Sequence, residues 1–184
     1  MIMKLKDVAT IKFCLLAKQH YDKANKLVMP SKLLENNVIE DYDLNNEIKV
    51  DDSMMIYPND IIIKRISPSY INYIDEIDDN VYAAGNLIIV RATQVDPKYL
   101  AYILDKNISR ITNLLAGARV PAIGRDVLED IQVPLFTNAK QQMIGELWYK
   151  GIKKYNLEQR LIELQKTRTK ALLDEFVLNN NGGR

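Results

Sequence analysis

The chain has 184 residues, enough for one good core and an appended element. Its 47% hydrophobic and 27% charged residues are typical of a globular protein and exclude a disordered chain. No uncharged apolar run reaches the ~18 residues of a membrane-spanning helix, and the lysine-bearing N-terminus does not resemble a secretory signal. We therefore expect a cytoplasmic protein, in which the single cysteine, Cys14, is a buried thiol.

The net charge of +1 excludes a strong global attraction to nucleic acid. Residues 1–135 hold 16 Lys and Arg against 19 Asp and Glu, a net charge of −3, and residues 136–184 hold 9 against 5, a net charge of +4. Any DNA contact by the first part must therefore come from a local basic surface.

The first half of the chain predicts short strands separated by turns. Asparagine-rich turns flank two of them, and a run of three isoleucines predicts a buried strand. The predicted elements are a strand or helical turn at 4–13, strands at 36–40 and 46–50, a turn at Pro58–Asp60, a buried strand from Ile61 to Ile63, a loop or hairpin connection at 66–80, and one or two strands within 81–92.

A helix is predicted next, because Asp96 can cap its first turn and Pro97 fits its first position. Tyr99 and Ile103 begin its buried face, Asn107 is a point at which it could divide, and a glycine at 117 ends it. One more short strand follows at 130–135. Strands, a helix and a final strand predict an α+β domain with a mixed sheet or a partial barrel.

From Thr137 the pattern changes to apolar residues three and four positions apart, which predicts a long helix over 137–178 followed by a disordered tail at 179–184. About 40 helical residues would extend roughly 60 Å, so we expect the apolar side to need a partner helix in a coiled coil. A helical hairpin broken near Gly151 is the alternative. The residues expected to face the partner are Ile144, Leu147, Trp148, Tyr155, Leu157, Leu161, Leu164 and Leu172.

Residues for catalysis are few. His20 is the only histidine and lies among lysines, which favours a surface position over a catalytic one. We predict no catalytic residue, no metal site and no cofactor, because metal-ligand spacings and phosphate-binding glycine loops are absent. A metal-dependent nuclease built on Glu47 and Lys49, with Asp41 or Asp43 as the second carboxylate, is a remote alternative.

Side chains that can donate hydrogen bonds to phosphates and base edges are concentrated after the isoleucine strand and at three later arginines. Arg91 ends a predicted strand, and two further arginines lie in a glycine-containing stretch in which backbone can approach a phosphate closely. The predicted DNA-binding residues are Lys64, Arg65, Ser67, Ser69, Tyr70, Asn72, Arg91, Arg119 and Arg125.

Five segments together resemble the specificity (S) subunit of type I restriction–modification systems. In chain order they are KLKDVATI, YPNDIIIKRIS, VYAAGNLIIVRA with YLAYIL, GARVPAIGRDVLEDIQVPL, and NAKQQMIGEL, which resembles the start of the conserved-region helix. Asn59 stands at a position where that family usually has glycine.

The resemblance implies a target recognition domain that binds DNA at residues 1–136 and a dimerisation or spacer helix at 137–178. Such a subunit is non-catalytic and assembles adenine methyltransferase subunits, and through them restriction subunits, on double-stranded DNA. With one recognition domain and one helix, we expect a homodimer that reads a bipartite inverted site. The alternative is an S-like interaction fragment that caps or competes with a resident S subunit without reading DNA.

Overall fold

The computed structural model describes residues 1–14, 26–28, 38–39, 52–66, 69–77, 81–83, 85–114 and 122–181. The strands within these ranges are β1 (Ile2–Lys4), β2 (Ala9–Phe13), β3 (Lys26–Val28), β4 (Val38–Ile39), β5 (Ile61–Lys64), β6 (Ile71–Ile74), β7 (Val81–Ala83), β8 (Leu87–Ala92) and β9 (Gln132–Pro134). The helices are α1 (Leu5–Val8), α2 (Pro97–Leu114), α3 (Arg125–Glu129) and α4 (Asn138–Asn181), with a 3-10 turn at Asp52–Met54.

The strands form a mixed arrangement, as the sequence predicts. Across the described residues the largest sheet has the strand order β2-β8-β5-β6-β4, in which only the β4–β6 pair is parallel. Two smaller pairs accompany it, antiparallel β1–β9 and parallel β3–β7. The α+β fold with a long C-terminal helix is therefore confirmed. The predicted strand at 46–50 lies outside the described residues.

Strand β5 lies at the centre of the core. Ile61, Ile62 and Ile63 are fully buried, and the strand pairs with β8 on one edge and with β6 on the other. Side chains alternate between the faces of a strand, so burial of all three means that both faces of the sheet are covered. Ile62 shares one face with Cys14, whose thiol pKa is raised by burial to about 12, which confirms the buried cysteine.

Two tight turns use residues that tolerate left-handed backbone. Asn59, before β5, has φ 71°, and its side-chain oxygen accepts a hydrogen bond from the Tyr73 hydroxyl at 2.5 Å. Asparagine adopts this conformation more readily than other non-glycine residues, which explains why it can stand where glycine was expected. Gly85 (φ 22°) and Asn86 (φ 63°) separate β7 from β8, so the segment 81–92 supplies two strands.

Helix α2 begins as predicted and is continuous. The Asp96 carboxylate accepts the Tyr99 backbone N–H at 2.8 Å, which confirms the cap. Asn107 does not divide the helix, since α2 is unbroken from Pro97 to Leu114. The Asn107 amide donates to the carbonyl of Ile103 one turn earlier, at 2.7 Å. Tyr99 and Ile103 are buried, as expected.

The first turns of α4 pack against the rest of the first compact unit, Met1–Tyr149. Gln141, Gly145 and Tyr149, spaced four residues apart, are all buried. The Gln141 side chain accepts the Asp96 N–H and donates to the carbonyl of Phe136, each at 2.9 Å. The expectation that the helix needs a partner along all its length was therefore wrong for these turns, because a buried side forms within the unit.

Gly145 has a specific packing role. A Cβ on it would lie 2.6 Å from the Tyr99 backbone nitrogen and 2.8 Å from an Asp96 carboxylate oxygen, so only glycine permits this approach of α4 to α2. Gly151 differs, because nothing lies within 4 Å of its added Cβ. Helix α4 continues through Gly151, so the alternative of a helical hairpin broken there was wrong.

The second compact unit is Lys150–Arg184, and α4 runs through it to Asn181. Every residue from 157 to 177 is exposed in the single chain. Helical hydrogen bonds alone seldom hold a surface helix in water without packing of an apolar side. This unit therefore presents its apolar side chains to solvent or to a partner.

Replacing Gly145 by alanine should lower the free energy of unfolding by about 2 kcal/mol, since the methyl group meets backbone and a carboxylate that cannot move freely. Gly151→Ala is the matched control and should be neutral or stabilising by up to ~1 kcal/mol. Denaturant unfolding followed by the fluorescence of the single tryptophan, Trp148, measures both. Equal stability of the two variants would contradict the packing role of Gly145.

Candidate nucleic-acid interface

The polar residues that follow the isoleucine strand lie at one end of the sheet. Arg65 directly follows β5, and its backbone N–H donates to the carbonyl of Asn86 at 2.8 Å. Its carbonyl accepts the N–H of Ile123 at 3.0 Å and the Ser69 hydroxyl at 3.3 Å. An isolated bridge between Ile66 and Ala122 adds to this connection. The end of β5 is therefore joined to the segment that leads into α3.

Two predicted arginines that are distant in sequence meet on one aromatic ring. The guanidinium carbon of Arg65 lies 5.6 Å from the centroid of the Phe13 ring, and that of Arg125 lies 4.5 Å from it. A guanidinium over an aromatic face is attracted to its quadrupole by about 0.5–1 kcal/mol at exposed sites. We use the name Phe13 cluster for two separate sets of contacts at this end of the sheet, namely Phe13 with Arg65 and Arg125, and Lys64 with Tyr70.

Lys64 and Tyr70 form the second half of the cluster. The Lys64 ammonium lies 5.4 Å from the centroid of the Tyr70 ring, and the Lys64 N–H donates to the carbonyl of Tyr70 at 2.9 Å. Both side chains are half-buried. This half of the cluster offers a charged donor beside an aromatic hydroxyl, the chemistry that a phosphate accepts.

Arg125 belongs to α3, a short helix that the sequence did not predict. Its side chain is exposed and pairs with Glu129 one turn later at 3.1 Å. The carboxylate offsets part of the charge that Arg125 brings to the Phe13 cluster. An exposed pair of this kind contributes only ~0.3–0.5 kcal/mol, so it can exchange its partner for a phosphate.

Arg91 lies at the opposite end of the sheet, beside the start of β5. Its Nε and Nη2 donate to the two carboxylate oxygens of Asp60 at 2.6 and 2.7 Å, and its guanidinium lies 4.6 Å from the Tyr57 ring centroid. The Asp60 hydrogen bonds raise the pKa of Arg91. Because the Asp60 side chain is only 1% exposed, this pair satisfies a buried charge.

The remaining predicted residues are placed differently. Asn72 is in β6 and only 1% exposed, so it lies in the core and not on the surface. Ser69 is half-buried beside Arg65. Ser67 and Arg119 lie outside the described residues, as do His20, Asp41, Asp43, Glu47 and Lys49.

Sequence reasoning missed Phe13 and Ile123 as parts of this surface. Phe13 ends β2 and reaches the cluster through the pairing of β2 with β8. The Ile123 carbonyl accepts the Nε of Arg65 at 3.0 Å. An aromatic residue at the end of a strand carries no local signal of such a role, since it depends on which strands are neighbours.

The residues predicted to face a partner helix divide into two groups. Ile144 and Trp148 are half-buried in the first unit, where the Trp148 indole donates to Asp105 of α2 at 3.1 Å. Leu147 is 76% exposed. The others lie in the second unit and are exposed, namely Tyr155, Leu157, Leu161, Leu164 and Leu172.

Two kinds of site are absent from the described part of the chain. Its His, Cys, Asp and Glu side chains form no group of three or more that could hold a metal ion. Its helices include none with both the length and the apolar character needed to cross a bilayer.

Comparison with known proteins identifies the family of the chain. The model of the Methylase_S family, the type I restriction modification DNA specificity domain, matches residues 1–175. The chain therefore belongs to this family. Comparison with the curated proteins finds no sequence match.

Three solved structures share the fold. One is from work on complex assembly and conformational transition of a type I system, with TM-score 0.67 and 13% identity over 94% of this chain and 43% of that chain. The S subunit from M. genitalium has TM-score 0.53 and 14% identity, and the match covers 86% of this chain and 41% of that chain. The HsdS subunit from Thermoanaerobacter tengcongensis has TM-score 0.53 and 13% identity, and the match covers 84% of this chain and 37% of that chain. The chain thus spans less than half the length of these three proteins.

Arg91→Ala should destabilise the first unit by about 3 kcal/mol, because it leaves the Asp60 carboxylate buried without its cation. Arg125→Ala, which removes one cation–π contact and one exposed ion pair, is the control and should lower stability by only about 1 kcal/mol. Denaturant unfolding measures both variants. If Arg91→Ala is as stable as the control, the pair is not structural.

Proposed function

We propose that the chain is a non-catalytic specificity subunit that pairs with a second copy through α4, reads two inverted DNA half-sites and assembles methyltransferase and restriction subunits. The observation that carries the pairing is the row of exposed leucines in the second unit. Leu157, Leu161 and Leu164 follow the spacing of three and four residues that places side chains on one side of a helix, and each is more than half exposed.

The magnitudes suit a reversible dimer. Burying one leucine contributes roughly 1.5–3 kcal/mol, so four from each helix, including Leu172, contribute on the order of 15 kcal/mol. Association costs an estimated ~4–15 kcal/mol in lost freedom. Lys154 and Arg168 share this side of the helix and weaken the contact. We therefore expect a dimer at micromolar concentration and dissociation on dilution.

DNA contact is assigned to the Phe13 cluster. Lys64 and Arg125 supply charge for phosphates, and the aromatic rings supply flat apolar surface beside them. Because residues 1–135 are net negative, we expect the isolated chain to bind DNA weakly and affinity to be shared with the methyltransferase. Methyl transfer itself belongs to that partner.

Leu157→Asp, Leu161→Asp and Leu164→Asp together should convert the dimer to a monomer, because three carboxylates would be buried at the helix contact. The matched control places aspartate at Gln159 and Lys166, two exposed residues on the opposite side of the same turns. It changes the net charge by −3, as the leucine variant does, and should stay dimeric. Light scattering after size exclusion at micromolar concentration gives the mass of each variant. A leucine variant that remains a dimer would refute pairing through this row. A wild-type chain that is monomeric alone and joins a full S subunit would favour the competing-fragment alternative.

Lys64→Ala and Arg125→Ala should each weaken DNA binding by the complex with methyltransferase, uniformly across sequences. Each should reduce the slope of log K against log salt by about one. Lys106→Ala removes an exposed lysine from α2 and serves as the control for charge. Salt titrations of DNA binding measure the slopes, and a slope unchanged from the control would place the DNA surface elsewhere.

A further inference from the structure

Arg65 differs from the other described arginines of the candidate site in what its guanidinium contacts. Arg91 uses Nε and Nη2 on Asp60, and Arg125 uses Nη1 on Glu129. Arg65 uses only Nε, which donates to the Ile123 carbonyl at 3.0 Å. Among the residues that the structure describes, its two terminal nitrogens have no hydrogen-bond partner.

The guanidinium of Arg65 is also held in place. Its backbone N–H and carbonyl are bonded to Asn86 and Ile123, its Nε is fixed by the same Ile123, and its guanidinium carbon lies 5.6 Å from the centroid of the Phe13 ring. A free arginine loses about 2 kcal/mol of rotamer entropy when it is fixed on a ligand. Here most of that ordering is already made in the folded chain.

A phosphate does not require this arrangement. Phosphate binding needs a positive charge within reach, which the neighbouring Lys64 supplies on a flexible stem. A fixed pair of parallel N–H donors instead matches two adjacent acceptors on a base edge. In the major groove only guanine presents two acceptors, O6 and N7, side by side.

We propose that Arg65 is a base-reading residue that recognises a guanine through its two terminal nitrogens, with Phe13 and the Ile123 carbonyl as its positioning groups. This rests on the proposed function, since it assigns one position of the DNA site that the complex methylates. Lys64 and Arg125 then contact the phosphates on either side, and Arg65 gives the selectivity.

The test compares Arg65→Lys with wild type, each as the full chain in complex with methyltransferase. Lysine keeps the positive charge but lacks the pair of parallel N–H donors. Methylated positions in genomic DNA are mapped for both, and rates are then measured on the recognised sequence and on duplexes with single G·C pairs replaced by A·T. At one position the wild-type preference for guanine should fall by roughly 5- to 150-fold in Arg65→Lys, and the other positions should keep theirs. Arg160→Lys, at an exposed arginine of the second unit outside the DNA surface, is the matched control and should leave every preference intact.

The outcomes separate the two proposals. A variant that keeps every base preference, while Trp148 fluorescence shows it folded, overturns the assignment of Arg65 and leaves the proposed function standing. Preferences that fall equally at all positions also overturn it, because they describe a phosphate contact. A wild-type complex that methylates no DNA refutes the proposed function and this inference together. Phe13→Leu should lower the same single preference by a smaller factor, because it removes the ring that orients the guanidinium of Arg65.

Discussion

Burial of β5 on both faces and pairing on both edges is the constraint on which the rest of the first unit depends. Three adjacent isoleucines leave no polar position inside the strand, so charged groups can lie only at its ends. At one end Asp60 is buried and takes Arg91 as its partner. At the other end Lys64 lies beside Tyr70 and Arg65 lies beside Phe13. The sheet thereby separates a structural ion pair from a basic surface.

The junction of α2 and α4 is the second feature that stabilises the first unit. The Gln141 side chain joins the starts of the two helices, and Gly145 allows their close approach. The Lys98 ammonium pairs with the Glu146 carboxylate at 2.6 Å and lies 4.1 Å from the centroid of the Tyr149 ring. Tyr149 in turn bonds Asp75 after β6. The first three turns of α4 are thus part of the core of the first unit, whereas the leucines of the second unit stay exposed.

Local patterns predicted most of the described elements, but not β3 or α3, and they predicted the site only in part. The isoleucine run, the Asp96 cap and the start of the long helix were all readable, because each depends on neighbouring residues. The pairing of Arg91 could not be predicted, because its partner Asp60 is thirty-one positions away in the sequence. An arginine at the end of a strand gives the same sequence pattern whether it binds a carboxylate or DNA. Phe13 was missed for the same reason, because its role comes from strand order, which composition does not encode.

The measurement that tests the central claim most directly is the pattern of DNA methylation made by the full chain with the proposed methyltransferase partner. A homodimer presents the same reading surface twice, related by two-fold symmetry, and therefore should methylate a bipartite sequence whose half-sites are inverted copies. Long-read mapping of methylated adenines across genomic DNA identifies both half-sites and the spacing between them. Two unrelated half-sites, or no recognised sequence, would contradict the account.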